Sequence, residues 1–293
     1  MKIKKVQQVL APPAAHMVGD GFRVHNFFPS GYNMHNQRMS PFYMLDYNAL
    51  MTLPPSNKVK GVGVHPHRGF ETVTIAYHGA IAHGDSYGNK GLIEAGDVQW
   101  MTAASGVLDK EYHEENFSKT GGLFQMVQLW VNLPAKDKMS PPKYQAITNE
   151  RMGKYQLPQQ QGVVEVIAGS YEGVQGAAST FTPIELYNIK LRKGATIGLD
   201  FPATFNTGFL IIAGAVKVND THTAPLDHFV LFTNEGTHIE MEALEDTIVL
   251  AMSGAPLHEP IASYGPFLMN TQAELQQAVA DYNSGKFGVL ADD

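Results

Sequence analysis

Two histidines lie two residues apart in His65-Pro66-His67-Arg68-Gly69-Phe70-Glu71, inside a run whose flanks, Val62, Val64 and Thr72 to Ile75, favour a strand. On a strand, residues i and i+2 face the same way. His65 and His67 can therefore aim ring nitrogens at one point, as the first two ligands of a metal ion do. On these residues alone the alternative is a pair of surface histidines on an edge strand, since Pro66 cannot donate to a ladder.

Some forty residues later, Gly96-Asp97 marks a turn, Val98 to Thr102 a strand and Ala103 to Gly106 a loop. Asp109, Glu111 and His113 then alternate, so an extended chain places all three on one face. Two histidines with a carboxylate form the pattern of non-haem iron sites, and Fe(II), Mn(II) and Ni(II) all suit mixed nitrogen and oxygen donors. Cysteine is absent, which excludes thiolate zinc and iron–sulfur chemistry.

These residues need a scaffold, and the composition describes one. The 293 residues suffice for one large domain or two of ordinary size. An apolar content of 44% with 17% charged residues is that of a globular protein. The net charge is −7, and no basic cluster exceeds Lys2-Ile3-Lys4-Lys5, which argues against direct nucleic-acid binding. Neither a signal-peptide core nor an apolar run of membrane length is present, so a cytoplasmic protein that engages no membrane is expected.

Short strand-like segments separated by turn clusters fill two regions, 1–134 and 163–262, and predict two β-barrels or sandwiches of related build. The first holds Phe22 to Phe28, Phe42 to Tyr47, the His-x-His strand, Val98 to Thr102 and Leu123 to Leu133, with a hairpin turn at Asp85 to Gly91. Residues 135–162, rich in proline, lysine and glutamine, read as a linker or external excursion. Residues 263–293 read as a loop followed by a helix. Thr271-Gln272-Ala273-Glu274 forms a capping box, and Leu275, Ala278, Val279 and Tyr282 follow at helical spacing up to Gly285.

Four stretches carry a family resemblance: His65-Pro66-His67-Arg68-Gly69-Phe70-Glu71-Thr72-Val73, Gly96-Asp97-Val98-Gln99-Trp100-Met101-Thr102-Ala103, Gln128-Leu129-Trp130-Val131-Asn132-Leu133-Pro134 and Gly265-Pro266-Phe267-Leu268-Met269-Asn270. The chain resembles the pirins over nearly its whole length. The resemblance implies an all-β fold of two jelly-roll cupin barrels in tandem with a C-terminal helix. It also implies a metal site confined to the N-terminal cupin, held by three histidines and a glutamate. His65, His67 and Glu111 match three of those ligands, and Asp109 stands where the third histidine belongs. An aspartate offers a hard oxygen on a shorter stem than imidazole. The ligand set expected is therefore His65, His67, Asp109 and Glu111, with His113 as a substitute nitrogen. Fe(II) is the expected ion, with Mn, Ni, Co and Zn as alternatives.

Other residues carry weaker expectations. Glu71 reads as an acceptor that orients an imidazole or Arg68, against a plain surface ion pair. Arg68 is read either as a contact for an anionic substrate group or as structural. His25 and His35 fall near the cavity mouth by resemblance. His78 and His83, flanking a hairpin, are expected to face solvent. Phe42, Met44, Trp100 and Met126 are core residues first and pocket lining second. His222, His228, His238 and His258 lack any paired arrangement, so the second barrel is expected to bind no metal.

The function that the resemblance implies is that of a quercetin 2,3-dioxygenase. A flavonol or similar aromatic and O2 would meet at the metal, with Glu111 doubling as ligand and catalytic base. The alternatives are a redox-sensing regulator that acts through a protein partner, and a bicupin whose metal binding is altered or lost through Asp109.

Overall fold

Strand pairing divides the chain into two units, each built from one seven-stranded and one four-stranded antiparallel sheet. The computed structural model describes residues 2–32 and 34–292, so the outermost limits of the predicted domains, Met1 and Asp293, lie outside the described residues. One unit comprises Pro13–Gln37, Phe42–Asn149 and Leu257–Asp293; the other comprises Met1–Pro12, Arg38–Pro41 and Glu150–Pro256. Sheets whose strands alternate apolar and polar residues must bury one face, and two such sheets closing on each other make a jelly-roll barrel.

In the first unit the four-stranded sheet runs in the order Gly61–His67, Val107–His113, Ala80–Asp85, Lys90–Glu94. The seven-stranded sheet runs Lys143–Ile147, Val98–Thr102, Phe70–His78, Gly122–Asn132, Phe42–Leu53, Phe22–Phe28, His16–Val18. One rank of this larger sheet is polar from strand to strand. Asn26 stands opposite Asp46, Asp46 opposite Gln128, Gln128 opposite Thr74, and Thr74 opposite Gln99. Because side chains alternate with a period of two, these five share a face. On that face the rank two residues along is largely apolar, with Met44, Trp130, Thr72 and Met101 in register.

The second unit repeats the arrangement without the polar rank. Its interior is filled by apolar side chains such as Phe209, Ile211, Val216, Phe232, Ile239 and Met241, all at most 1% exposed.

Two parts of the chain lie elsewhere than the sequence suggests. Val6–Leu10 pairs with Phe229–Phe232, so the first residues complete the sheet of the second unit. The segment 135–162 is also no excursion. Lys143–Ile147 adds an edge strand to Val98–Thr102, and Gly153–Gln156 adds one to Gly162–Ala168. Short polar edge strands next to prolines have the composition of a linker, because only one side of each is paired.

The C-terminal helix spans Gln272–Asn283 and starts on the expected capping box at Thr271 and Glu274. The stretch before it, read as a loop, forms a small hairpin of Ala262–Tyr264 and Phe267–Met269. Lys138 fastens this segment to the barrel. Its buried ammonium donates to the carbonyls of Gly69 at 2.7 Å and Leu268 at 2.8 Å, and to Asn132 Oδ1. Gly69 has φ of +90°, and a Cβ there would lie 2.0 Å from the Leu268 carbonyl oxygen. Only glycine allows the chain after His67 to pass so close.

Candidate metal centre

His65 and His67 leave the Gly61–His67 strand toward the barrel interior, with ring centroids 4.5 Å apart. Asp109 is the register partner of His65 on the neighbouring strand. Its Oδ2 lies 4.0 Å from His65 Nε2 and 3.8 Å from His67 Nε2. A register irregularity follows Asp109, so that Glu111 falls opposite Val62. Such a bulge re-aims the next side chain.

The ring nitrogens identify what this arrangement lacks. His65 Nδ1 lies 2.8 Å from the Gly63 carbonyl oxygen, which can only accept, so Nδ1 carries the hydrogen and Nε2 a lone pair. Burial, followed by the neighbouring His65, lowers His67 to about 3 and keeps its ring neutral. In the neutral form of the ring, a lone pair on His65 Nε2 faces the acceptor oxygen of Asp109. A cation resolves that arrangement. Donor atoms about 2.0–2.2 Å from a shared ion stand roughly 3–4 Å from one another, the separation found here. The residues fit a divalent metal.

Asp109 uses its other oxygen differently. Oδ1 lies 2.8 Å from His83 Nδ1, and the side-chain amide of Gln99 approaches the same nitrogen at 2.9 Å. His83 Nε2 faces Asp85 Oδ2 at 3.8 Å. Burial alone would lower the His83 pKa, but Asp109 and Asp85 outweigh it and bring it to about 10. Burial likewise opposes ionisation of Asp109, and His83 overcomes it, holding that carboxyl below the usual range. Two groups capable of holding a metal thus share Asp109: His65, His67 and Asp109 on one side, His83, Asp109 and Glu111 on the other.

His83 was expected to face solvent and is instead 5% exposed, its ring stacked on Tyr144. Its strand, Ala80–Asp85, lies beside the Asp109 strand, with His83 opposite Glu111. A hairpin-flanking histidine shows this only once the pairing is known. The alternation of His83 with Asp85 was the signal available.

Glu111 is held from the opposite sheet. Its Oε1 accepts from Thr74 Oγ1 at 3.0 Å and its Oε2 from Gln128 Nε2 at 2.6 Å. Burial, then the charge of Asp109, raises its pKa. Two members of the polar rank, Gln128 and Thr74, thus hold Glu111 directly, and a third, Gln99, lies against His83.

The remaining predicted residues lie apart from this cluster. His113 shares the inward face of its strand, but its ring packs among Phe22, Phe117 and Phe124. Glu71 is buried and accepts from Thr102 Oγ1 at 2.7 Å, not from an imidazole or Arg68. Arg68 is turned toward the C-terminal helix, donating to Asp281 Oδ2 at 2.8 Å and to the Ser105 carbonyl at 2.7 Å, with its guanidinium over the Phe287 ring.

A cavity of about 260 Å³ opens above the histidines and Glu111. Met44, Met126, Trp130, Phe22 and Val24 give it an apolar wall, and Asp46 interrupts that wall. Of the four residues read as pocket or core, Met44 and Met126 line the cavity, whereas Phe42 and Trp100 are fully buried. A hollow of about 720 Å³ on the second unit, near Lys190, Arg192 and Asp246, borders no group of metal-capable side chains among the described residues.

A jelly-roll barrel with an inward His-x-His pair facing carboxylates on the adjacent strand is the cupin arrangement, here in a chain of two such barrels. The chain belongs to the pirin family. The family model described as pirin matches residues 21–131, and that of the pirin C-terminal cupin domain matches residues 186–288. A candidate quercetin 2,3-dioxygenase of Pseudomonas aeruginosa is 44% identical over 285 residues, which is 97% of this chain and 99% of that protein. Pirin-like protein 2 of Arabidopsis thaliana is 37% identical over 92% of this chain and 81% of its own length. A crystal structure of quercetin 2,3-dioxygenase from Acinetobacter baumannii superposes with a TM-score of 0.93 at 46% identity, over 99% of this chain and all of that one. A bacterial pirin from Escherichia coli in complex with nickel(II) has a TM-score of 0.63 over 85% of this chain and 99% of its own, and at 19% identity shows the shared fold alone. Among the described residues, no helix is long and apolar enough to cross a membrane.

Proposed function

We propose that this protein is a metal-dependent dioxygenase of the quercetin 2,3-dioxygenase type, acting on a flat phenolic substrate with O2. The observation that carries this reading is the convergence of His65 Nε2 and His67 Nε2 on Asp109 Oδ2, at 4.0 and 3.8 Å, beneath an apolar cavity. Fe(II) is the ion proposed, with Mn(II), Ni(II), Co(II) and Zn(II) as the other divalent candidates for such donors.

When bound, the metal would supply the Lewis acidity and redox chemistry that bring a phenolic oxygen and O2 to reaction. The chain's own residues do the rest. His65, His67 and Asp109 would hold the ion, with Glu111 alongside them. His83 fixes the orientation of Asp109, and Gln128 and Thr74 that of Glu111. Trp130, stacked on Phe70 at 4.1 Å between centroids and edge-on to His67, offers an aromatic ring a flat wall and excludes water. At about 260 Å³ the cavity lies just below the about 300–1,000 Å³ typical of small-molecule pockets. It supports a compact aglycone over a glycoside.

The test is to load the purified protein with each divalent ion in turn and measure quercetin consumption together with carbon monoxide release. Ring cleavage with at least one ion is expected; no turnover with any of them removes the dioxygenase reading. A second reading, a bicupin with weakened metal binding, is favoured by the 2.8 Å His83–Asp109 pair, which balances the Asp109 charge without a metal ion. Metal content after purification separates the two.

A further inference from the structure

Two members of the polar rank, Asn26 and Asp46, hydrogen-bond to none of the candidate metal-binding residues, and of these Asp46 is the one that lines the cavity. Its strand faces it into the cavity beside Met44, and it stands directly across from Gln128. Residues so paired have Cβ atoms about 5 Å apart, so Asp46 is one side chain removed from the Gln128–Glu111 hydrogen bond. Its Oδ1 accepts from Asn26 Nδ2 at 2.7 Å. Asn26 is itself fixed, its Oδ1 accepting from the Ser30 backbone N–H at 3.0 Å and from Ser30 Oγ at 2.7 Å. Among the described residues, no other side chain donates to Asp46. A carboxyl group 7% exposed, held by one oxygen in an apolar wall, is an expensive thing to bury without a use.

Glu111, the base that the family resemblance suggests, is poorly placed for that task. Both of its oxygens already accept hydrogen bonds, from Thr74 and Gln128. Asp46 has an oxygen to spare and faces the space a ligand would fill.

We propose that Asp46 is the cavity's proton acceptor: it takes the proton of a substrate hydroxyl, so that a phenol enters neutral and is held as the phenolate. The phenol O–H bond breaks, its electron pair stays on the phenolic oxygen, and the proton ends on the free oxygen of Asp46. Burial raises the Asp46 pKa above the ordinary carboxylate range, which brings it toward that of an acidic phenol and favours the transfer. The inference rests on the reading above in one respect, that the ligand is phenolic.

The experiment uses quercetin as the probe and the full-length protein after chelation, so that no metal shares in the deprotonation. Bound quercetin should show the long-wavelength absorption band of its phenolate. Asp46→Asn keeps the contact with Asn26 but cannot take a proton; it should lose that band and bind quercetin about tenfold more weakly, the equivalent of one charge-assisted hydrogen bond. Asn26→Ala leaves Asp46 in place but unanchored and should give a smaller loss of the same kind. An unchanged spectrum and affinity in a folded Asp46→Asn protein overturns the proposal. Turnover of the metal-loaded proteins separates this from the activity itself. A phenolate band that depends on Asp46, without turnover under any metal, sinks the dioxygenase reading and leaves the proton acceptor standing. Equal turnover by wild type and Asp46→Asn does the reverse.

Discussion

Asp109 divides its carboxylate between two tasks: Oδ1 is paired with His83 Nδ1 at 2.8 Å, while Oδ2 faces the His65 and His67 rings at 4.0 and 3.8 Å. A short side chain thereby gains a fixed direction. Through this division the barrel can place an oxygen where the family resemblance calls for an imidazole.

Removing the anchor should loosen the site. His83→Ala is expected to lower affinity for Ni(II) or Mn(II) about 10- to 100-fold, as the loss of a group that orients a ligand does. Calorimetric titration of the two proteins measures it, and an affinity equal to wild type would show that His83 does not position Asp109.

Changing the donor should change the preferred ion. Asp109→His adds a third nitrogen and removes an anion, which favours the later, softer ions. The ratio of Ni(II) to Mn(II) affinity is expected to rise at least about tenfold. Elemental analysis after competition between the two ions reads it directly, and an unchanged ratio places residue 109 outside the ligand set.

Glu71 predicts a pH dependence of stability that is independent of any metal. Burial raises its pKa from 4.5 to about 7. The folded state therefore keeps a proton that the unfolded chain releases, and the resulting stability is fully present below pH 4.5 and lost as pH rises toward 7. Glu71→Gln, which retains an acceptor for Thr102, should flatten this slope. The gap between wild type and variant should change by about 2–3 kcal/mol between pH 4.5 and 7.5, from urea midpoints at each pH. Parallel curves for the two proteins would contradict it.

Lys138 closes the C-terminal hairpin onto the barrel through three acceptors. Lys138→Met preserves the stem but leaves those acceptors buried and unpaired. The expected loss is about 3 kcal/mol, seen as a lower urea midpoint with an unchanged slope. A shift under about 0.5 kcal/mol would mean that water replaces the ammonium.

Much of this was legible beforehand, and the rest was hidden for identifiable reasons. The i, i+2 spacing of His65 and His67, and of Asp109 and Glu111, is a property of one strand at a time, and periodicity reports it. The direct pairing of His65 with Asp109 joins residues over forty positions apart, yet family resemblance supplied it. His83 had neither aid, because its inward direction depends on which neighbour its strand pairs with. The polar rank was less visible still. Asn26, Asp46, Gln128, Thr74 and Gln99 fall into line only through four separate registers, three of them on strand pairs interrupted by bulges, between Asn26 and Phe28, between Phe124 and Met126, and between Gln125 and Met126. A one-residue slip at any of these turns the next side chain outward.

After the C-terminal helix, the last described residues run along the back of the Asp109 strand. Lys110 donates to the Ala291 carbonyl at 2.6 Å, Tyr112 Oη to Asp292, and Ser86 Oγ to the Phe287 carbonyl at 2.6 Å. Lys110 and Tyr112 alternate with Asp109 and Glu111, so the tail grips the outward side chains of the strand whose inward ones face the histidines. During synthesis these residues leave the ribosome after every strand they brace. The support on the outward side of that strand is therefore added only after the strand itself, and a nascent chain stalled short of residue 286 would carry the ligand strand unbuttressed.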